Sequence, residues 1–355
     1  MKQLLTVAIA VFCMCLSAHG QPRPNVHTVS INDRPAKKKV TSGSDLRNYA
    51  NSLPDGDTIY LQPGHYGEMS SLSKKIVFVG IGHSDFRNSG GTVVSFSNIT
   101  DLKPGASGSS FIGITVTGEV QAGYWDNGVN NITFEKCRLG AINLYTGYTT
   151  YQRTNWSFIG NIITGKIYNT SGVTPPIQNM FFFNNVFTKD SFFSGINSPL
   201  AERVTLVNNV FLGEHATPSK VFDGTCRFFQ MQRNIFYGRF FGGTLNSVEV
   251  YDNIFYASGI NSDADLGAGV TGPAGSNTYT DPVFINLPAN HGGLFLSSYN
   301  LKRASNDNKG LHSSFNRYGT PFTPFVTGLQ IASPVISQGG TLSITLSGAS
   351  KVEDH

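Results

Sequence analysis

Lys220 and Arg239 stand 19 residues apart in this chain of 355 residues, at comparable places in two consecutive copies of a repeated phrase. A lysine beside an arginine is a pair that β-elimination from an acidic sugar can use. A base removes the proton α to a uronate carboxylate, and a fixed cation neutralises that carboxylate so that the proton becomes acidic enough to leave. The neighbouring guanidinium would also depress the lysine pKa, as a base needs. The same alignment gathers Lys166, Tyr168, Phe193, Phe222 and Phe241 around the pair. Rings next to cations suit a polymer that offers apolar sugar faces with carboxylates or sulfates. Lys220 and Arg239 are thus the candidate catalytic residues, and the other five are candidate substrate contacts.

Such residues can meet only if the chain stacks them. Asn161-Ile-Ile, Asn184-Asn185-Val-Phe, Asn208-Asn209-Val-Phe, Asn234-Ile-Phe and Asp252-Asn253-Ile-Phe recur at intervals of 24, 24, 25 and 19 residues, and Cys137 and Ile114 occupy the same slot in two weaker, earlier copies. A period of this size, built from short β-rich segments that cannot bury their own apolar face, is the mark of a solenoid. Stacked coils of that size make a parallel β-helix. Between two short strands the Asn should supply a left-handed turn residue, and its amide should bond to the rungs above and below.

The segments that follow each Asn phrase set the expected ligand face. Ala141-Ile-Asn, Lys166-Ile-Tyr, Ser191-Phe-Phe, Lys220-Val-Phe and Arg239-Phe-Phe share a large apolar middle residue, so Ile142, Ile167, Phe192, Val221 and Phe240 are expected in the core. Their neighbours then face outward. One column reads Ala141, Lys166, Ser191, Lys220, Arg239 and the next Asn143, Tyr168, Phe193, Phe222, Phe241. A register shifted by one residue would place those rings in the core instead. Tyr124-Trp125-Asp126 and the run from Tyr145 to Trp156 could wall the face, or pack on the coil edge.

Two further phrases carry a resemblance. Asp57-Thr-Ile-Tyr-Leu-Gln-Pro-Gly-His-Tyr66 resembles the opening coil of secreted right-handed β-helix proteins of the pectate-lyase-like superfamily, and Tyr279-Thr-Asp-Pro-Val-Phe284 with Leu294-Phe-Leu resembles the closing coils of bacterial members. The resemblance covers residues 41 to about 322 and implies an all-β, single-stranded right-handed parallel β-helix. It is specific for fold, because that superfamily holds lyases, hydrolases, epimerases and binding proteins. It implies lysine or arginine as base, with calcium or a second basic residue as neutraliser. Lys220 and Arg239 are similar in position to the pair of chondroitinase-B-like and alginate lyases, with no longer motif of that group present. Two functions stand side by side: a polysaccharide lyase acting on uronate glycans, and a non-catalytic glycan-binding or surface structural β-helix.

The ends and the composition complete the expectation. Lys2, the apolar run Leu4 to Leu16 and Ala18-His-Gly20 read as a secretory signal cleaved near Gly20. Residues 21–40 read as a linker and 41–322 as the solenoid. Within it a short helical cap is expected, N-capped by Ser44, with Leu46, Tyr49, Ala50 and Leu53 on one face. Residues 323–355 read as a β-hairpin tail. Losing Lys2 takes the formal charge from +4 to +3, and export makes nucleic acid an improbable partner. No later apolar run is long enough to span a bilayer, and a monomer is expected.

Cys137 and Cys226 remain after cleavage, 89 residues and close to four coils apart. At about 4.8 Å per rung they lie beyond disulfide reach, so two free buried thiols are expected. No metal site is expected. Asn261-Ser-Asp-Ala-Asp265 and Asn306-Asp-Asn308 are oxygen-rich but lack the spacing of a calcium loop. Asp190, Asp223 and Asp252 do not form the clustered aspartates of polygalacturonase-type hydrolases, and Glu214 and His215 are weaker acid–base candidates.

Overall fold

The computed structural model describes residues 27–31, 34–80, 82, 93–122, 128–144, 153–169, 177–188, 192–196, 198, 203–213, 219–288, 299–305, 307–312, 315, 325–331 and 344–349. Among these the chain is all-β with one α-helix, and its long parallel sheets are those of a β-helix-type solenoid. Two large sheets have 12 and 14 strands, and the 12-stranded one, the long sheet, makes the longer unbranched ladder. From Thr58–Leu61 to Val270–Thr271 each strand pairs in parallel with the corresponding strand of the next coil.

Alternation along those strands builds the core. Ile59, Phe78, Phe111, Phe134, Phe158, Phe182, Leu206, Met231 and Val250 form one inward column, all fully buried. Its phenylalanine rings stack at centroid distances of 5.3, 4.9, 5.5 and 4.6 Å, with planes within 11° of parallel. Face-to-face stacking follows from the parallel register, which repeats one rotamer at every rung. Phe187, Phe211, Phe236 and Phe255 make a second such ladder on the opposite wall, at 4.4, 4.8 and 4.8 Å.

The Asn phrase is a buried amide ladder. Asn161, Asn185, Asn209 and Asn234 are fully buried, and the backbone N–H of each donates to the Oδ1 of the Asn above at 2.8–2.9 Å. Each Nδ2 also donates to that Oδ1 and to a strand carbonyl below, as Asn209 does to Asn234 and Phe182 at 2.9 Å each. Cys137 caps one end through its backbone N–H to Asn161 Oδ1 at 2.8 Å. At the other end Asn253 donates to Asn277, a rung the spacing analysis missed, and Asn277 Nδ2 donates to Asp263 Oδ1 at 2.9 Å. Bonds from Tyr279, Asn277 and the Gly275 N–H hold the Asp263 carboxyl below its ordinary pKa.

The left-handed residue is not the ladder Asn but the one before it. Lys136, Asn184, Asn208, Arg233 and Asp252 have φ between 52° and 61°, and Gly160 has 63°. The turn needs the left-handed conformation one step earlier. The ladder Asn can then lie in the wall with its amide turned inward, so the strain and the amide chain fall on different residues.

Several boundaries differ from expectation. The 21–40 stretch contributes strands His27–Ile31 and Arg34–Val40, an antiparallel pair whose first strand adds to Thr58–Leu61. These strands cover the sheet edge that the first coil would otherwise leave unpaired, and the outermost carries Pro35 and three lysines, as protected edges do. Ser42, not Ser44, N-caps the helix Gly43–Asn51, because its hydroxyl reaches the Asp45 N–H at 3.2 Å. Leu46 and Ala50 of that helix are buried, and Tyr49 and Leu53 pack on the core. Strands Phe325–Ile331 and Ile344–Ala349 pair antiparallel.

A return segment covers one outer wall. Strand Asn300–Arg303 pairs antiparallel with Phe284–Asn286. The chain then runs along the left-handed turns, where Asn208 Nδ2 donates to the carbonyls of Asn308 (2.6 Å) and Gly310 (2.9 Å) and the His312 N–H donates to Asn184 Oδ1 (2.8 Å). Tyr299, Leu301, Leu311 and Phe315 thereby bury the outward column Ile162, Val186, Val210, Ile235 and Ile254. The paired apolar residues of each Asn phrase are explained: one faces the core and the other faces this strap.

Cys137 and Cys226 are free and buried, and burial pushes both thiols up to about 12. An aromatic disulfide reagent at pH 8 is expected to titrate neither thiol in the native protein and both in denaturant. Rapid native labelling would contradict the placement.

Candidate functional site

The strands expected to carry the ligand face are Arg138–Asn143, Ile167–Tyr168, Phe193–Ser194 and Phe222–Asp223. Their pairs are Ile142 to Ile167, Ile167 to Phe193 and Phe193 to Phe222, so these four residues form the inward column. Phe193 and Phe222 are therefore core residues, and their expected outward placement is corrected. Tyr168 pairs with Ser194, which in turn pairs with Asp223. The physical reason is a corner in the coil. Phe192 is buried against Phe187 and Phe211, while Phe193 packs on its rung partner Phe222 and, edge-on, on Phe182 of the long sheet. Alternation fails where two consecutive residues face two converging walls, and the register moves by one. Phe241 is half-buried and packs edge-on against Phe222, Phe236 and Phe255.

The Lys220 and Arg239 pair does not assemble. Ser219 pairs with Arg239 and Lys220 with Phe240, so the two cations sit in alternating positions and project to opposite sides. Lys220 is exposed, its stem lying over Gly242, where a Cβ would stand 2.7 Å from Lys220 Cδ. Arg239 is buried. Its guanidinium donates to Ser219 Oγ and, at 2.7 Å, to the Leu212 carbonyl, with its carbon 5.0 Å from the Phe192 ring centroid. It thus grips both ends of the connection between Leu212 and Ser219, which is a structural duty.

What remains outward on this face is already paired. Tyr168 donates its hydroxyl to Glu119 Oε2 at 3.0 Å, across the rung of Ala141. Partial burial, and then the bond to Glu119, push the phenol up to about 12, the wrong direction for a base. Lys166 lies 3.7 Å from Asp223, both about half exposed, so the pair contributes little to stability but occupies the lysine. Glu119 and Asp223 stand four rungs apart, about 19 Å, well beyond the spacing of a glycosidase carboxylate pair.

Among the described residues no group of three or more His, Cys, Asp or Glu side chains gathers as a metal site. Asp265 accepts from the Asn261 N–H and the Ser262 hydroxyl, and Asp263 closes the amide ladder, so both carboxylates of this run bond within turns. Asp252 pairs with Lys309 and Arg233. Trp156 is buried and donates its indole N–H to the Val129 carbonyl. Asp190, Glu214, His215, Asn306, Tyr124 to Asp126 and Tyr145 to Gln152 lie outside the described residues. No described helix is long and apolar enough to cross a membrane.

The repeat spacing does not single out the outer face of the long sheet, although its signal in the sequence is plain alternation. In Phe181-Phe-Phe, Thr205-Leu-Val, Gln230-Met-Gln and Glu249-Val-Tyr the middle residue is buried and both flanks are half-exposed. Two outward columns result: Phe181, Thr205, Gln230, Glu249, Thr271 and, beside it, Phe183, Val207, Gln232, Tyr251. The Phe181 and Phe183 rings lie parallel within 7°, their centroids 6.0 Å apart. Gln230 Nε2 donates to the Tyr251 hydroxyl at 2.7 Å, and Arg203 pairs with Glu249. Aromatic rings here adjoin amide, carboxylate and guanidinium groups on a rigid sheet. Comparison with protein-family models, curated proteins and solved structures finds no match to the chain.

Proposed function

We propose that this chain is an exported, right-handed β-helix of the pectate-lyase-like kind that binds a glycan and does not cleave it. Export is supported by the cationic start, apolar run and small-residue cleavage site of residues 1–20. The hand is supported by the preference of parallel β crossovers for right-handed connection. The observation that carries the binding role is the outer face of the long sheet, where Phe181 and Phe183 form a parallel ring platform and Gln230, Glu249 and Tyr251 follow two to three rungs further along the same face. Sugar rings present an apolar face to such a platform and hydroxyls to such planar polar groups. The non-catalytic reading is supported by the alternating positions of Lys220 and Arg239, which project to opposite sides of one wall.

The test is incubation of the mature protein with a panel of uronate and neutral polysaccharides. Absorbance at about 235 nm, where an unsaturated uronate absorbs, should stay flat. Affinity electrophoresis should show retardation by at least one polymer, weakened about tenfold or more in Phe183→Ala. Unsaturated product that disappears in Lys220→Ala would restore the lyase reading, and migration unchanged by every polymer would end the glycan reading.

A further inference from the structure

The long sheet does not end flush. Beyond its platform, Gln230, Glu249, Tyr251, Thr271, Gly272 and Pro273 enclose an open groove of about 420 Å³. Four features make this place chemically particular. Gln230 spends an amide hydrogen on the Tyr251 hydroxyl oxygen, which leaves the phenol proton to be donated into the groove. Glu249 offers a planar carboxylate whose charge is met by Arg203 at its flank. Thr271, paired with Glu249 on the last strand, adds a hydroxyl that both donates and accepts. Gly272 lies so close to the Val250 carbonyl that a Cβ would stand 2.1 Å from it, so position 272 presents backbone alone to the groove, beside Pro273.

The geometry points to a subsite for one uncharged hexopyranose unit, its apolar face on the Tyr251 ring and its vicinal hydroxyls on Glu249, Gln230 and Thr271. This inference rests on the glycan-binding reading and narrows its ligand. A uronate is disfavoured on charge grounds. The lining contributes one carboxylate and no cation, and the adjacent guanidinium of Arg203 is engaged by Glu249, so a sugar carboxylate would be desolvated in the groove with no further cation in the lining to meet it. Vicinal hydroxyls, by contrast, match a planar carboxylate and a planar amide in bidentate fashion without a net charge. The expected acidic polymer is thereby replaced, at this place, by a neutral one.

Saturation-transfer NMR on the mature protein tests it, with methyl β-glucoside, methyl α-mannoside, methyl β-galactoside and galacturonate as probes. At least one neutral glycoside should receive saturation and galacturonate should not. Thr271→Trp, which fills the groove from an exposed edge position, should abolish the signal, Glu249→Gln should weaken affinity about tenfold, and Lys220→Ala on the other face should leave it unchanged. Circular dichroism and denaturation of each variant separate loss of the groove from loss of the fold. Polysaccharide retardation unaffected by Thr271→Trp and Glu249→Gln overturns the groove and leaves the glycan reading intact. A preference for galacturonate overturns the neutral class. No saturation together with no retardation by any polymer overturns both.

Discussion

Replacing Asn209 by Leu is expected to destabilise the solenoid by about 3–4 kcal/mol. Asn209 is fully buried, and its side chain alone satisfies the Asn185 N–H, bonds the Asn185 amide, and donates to Phe182, Val207 and Asn234. Leucine is close in size but leaves that backbone N–H without an acceptor, at roughly 1–3 kcal/mol, and loss of the remaining bonds, which share two amide hydrogens, adds about 1–2 kcal/mol in total. Chemical denaturation checks it. Because Asn208, and not Asn209, holds the left-handed turn, Asn208→Gly separates the two contributions: it keeps the turn without strain and loses only the bonds to Asn308 and Gly310. A loss at Asn209 smaller than at Asn208 would contradict the amide ladder as the main support.

Phe222→Ala is expected to cost about 3–5 kcal/mol of stability, the range for a large aromatic removed from a packed core. Its ring is fully buried among Phe193, Phe229 and Phe241 at 5.8, 5.1 and 5.5 Å. Glycan retardation by the folded fraction should not change. The magnitude separates the two placements, because a ring on an open face contributes within about 0.5 kcal/mol when truncated. A stability change that small, with lost glycan retention, would return Phe222 to the surface.

Several residues show why one part of this molecule was legible and another was not. The Asn period, the inward ring columns and the two free thiols all follow from patterns contained within one coil and repeated in the next. Ile142, Ile167, Phe192 and Val221 are buried as their repeated apolar middle position implies. From Phe193 onward the rung neighbour depends on how many residues turn the corner between walls, and the sequence records the same large apolar residue on either side of it. Lys220 and Arg239 hold equivalent places in the repeated phrase, yet a one-residue difference in pairing puts one in solvent and the other inside.

The amino-acid pattern by itself determined that the chain stacks, with what period, and which residues make the ladder, because turns, alternation and amide stacking are short-range and repeat. Only the tertiary structure decided which side chains share a face. It also decided that residues 27–40 close one end of the sheet, that the segment around 299–315 covers an outer wall, and that the polar groove lies at Tyr251. Those outcomes depend on contacts between segments as far as 128 residues apart, such as Asn184 with His312. No local period encodes a contact of that kind, since it arises only when distant chain segments compete to cover the same apolar surface.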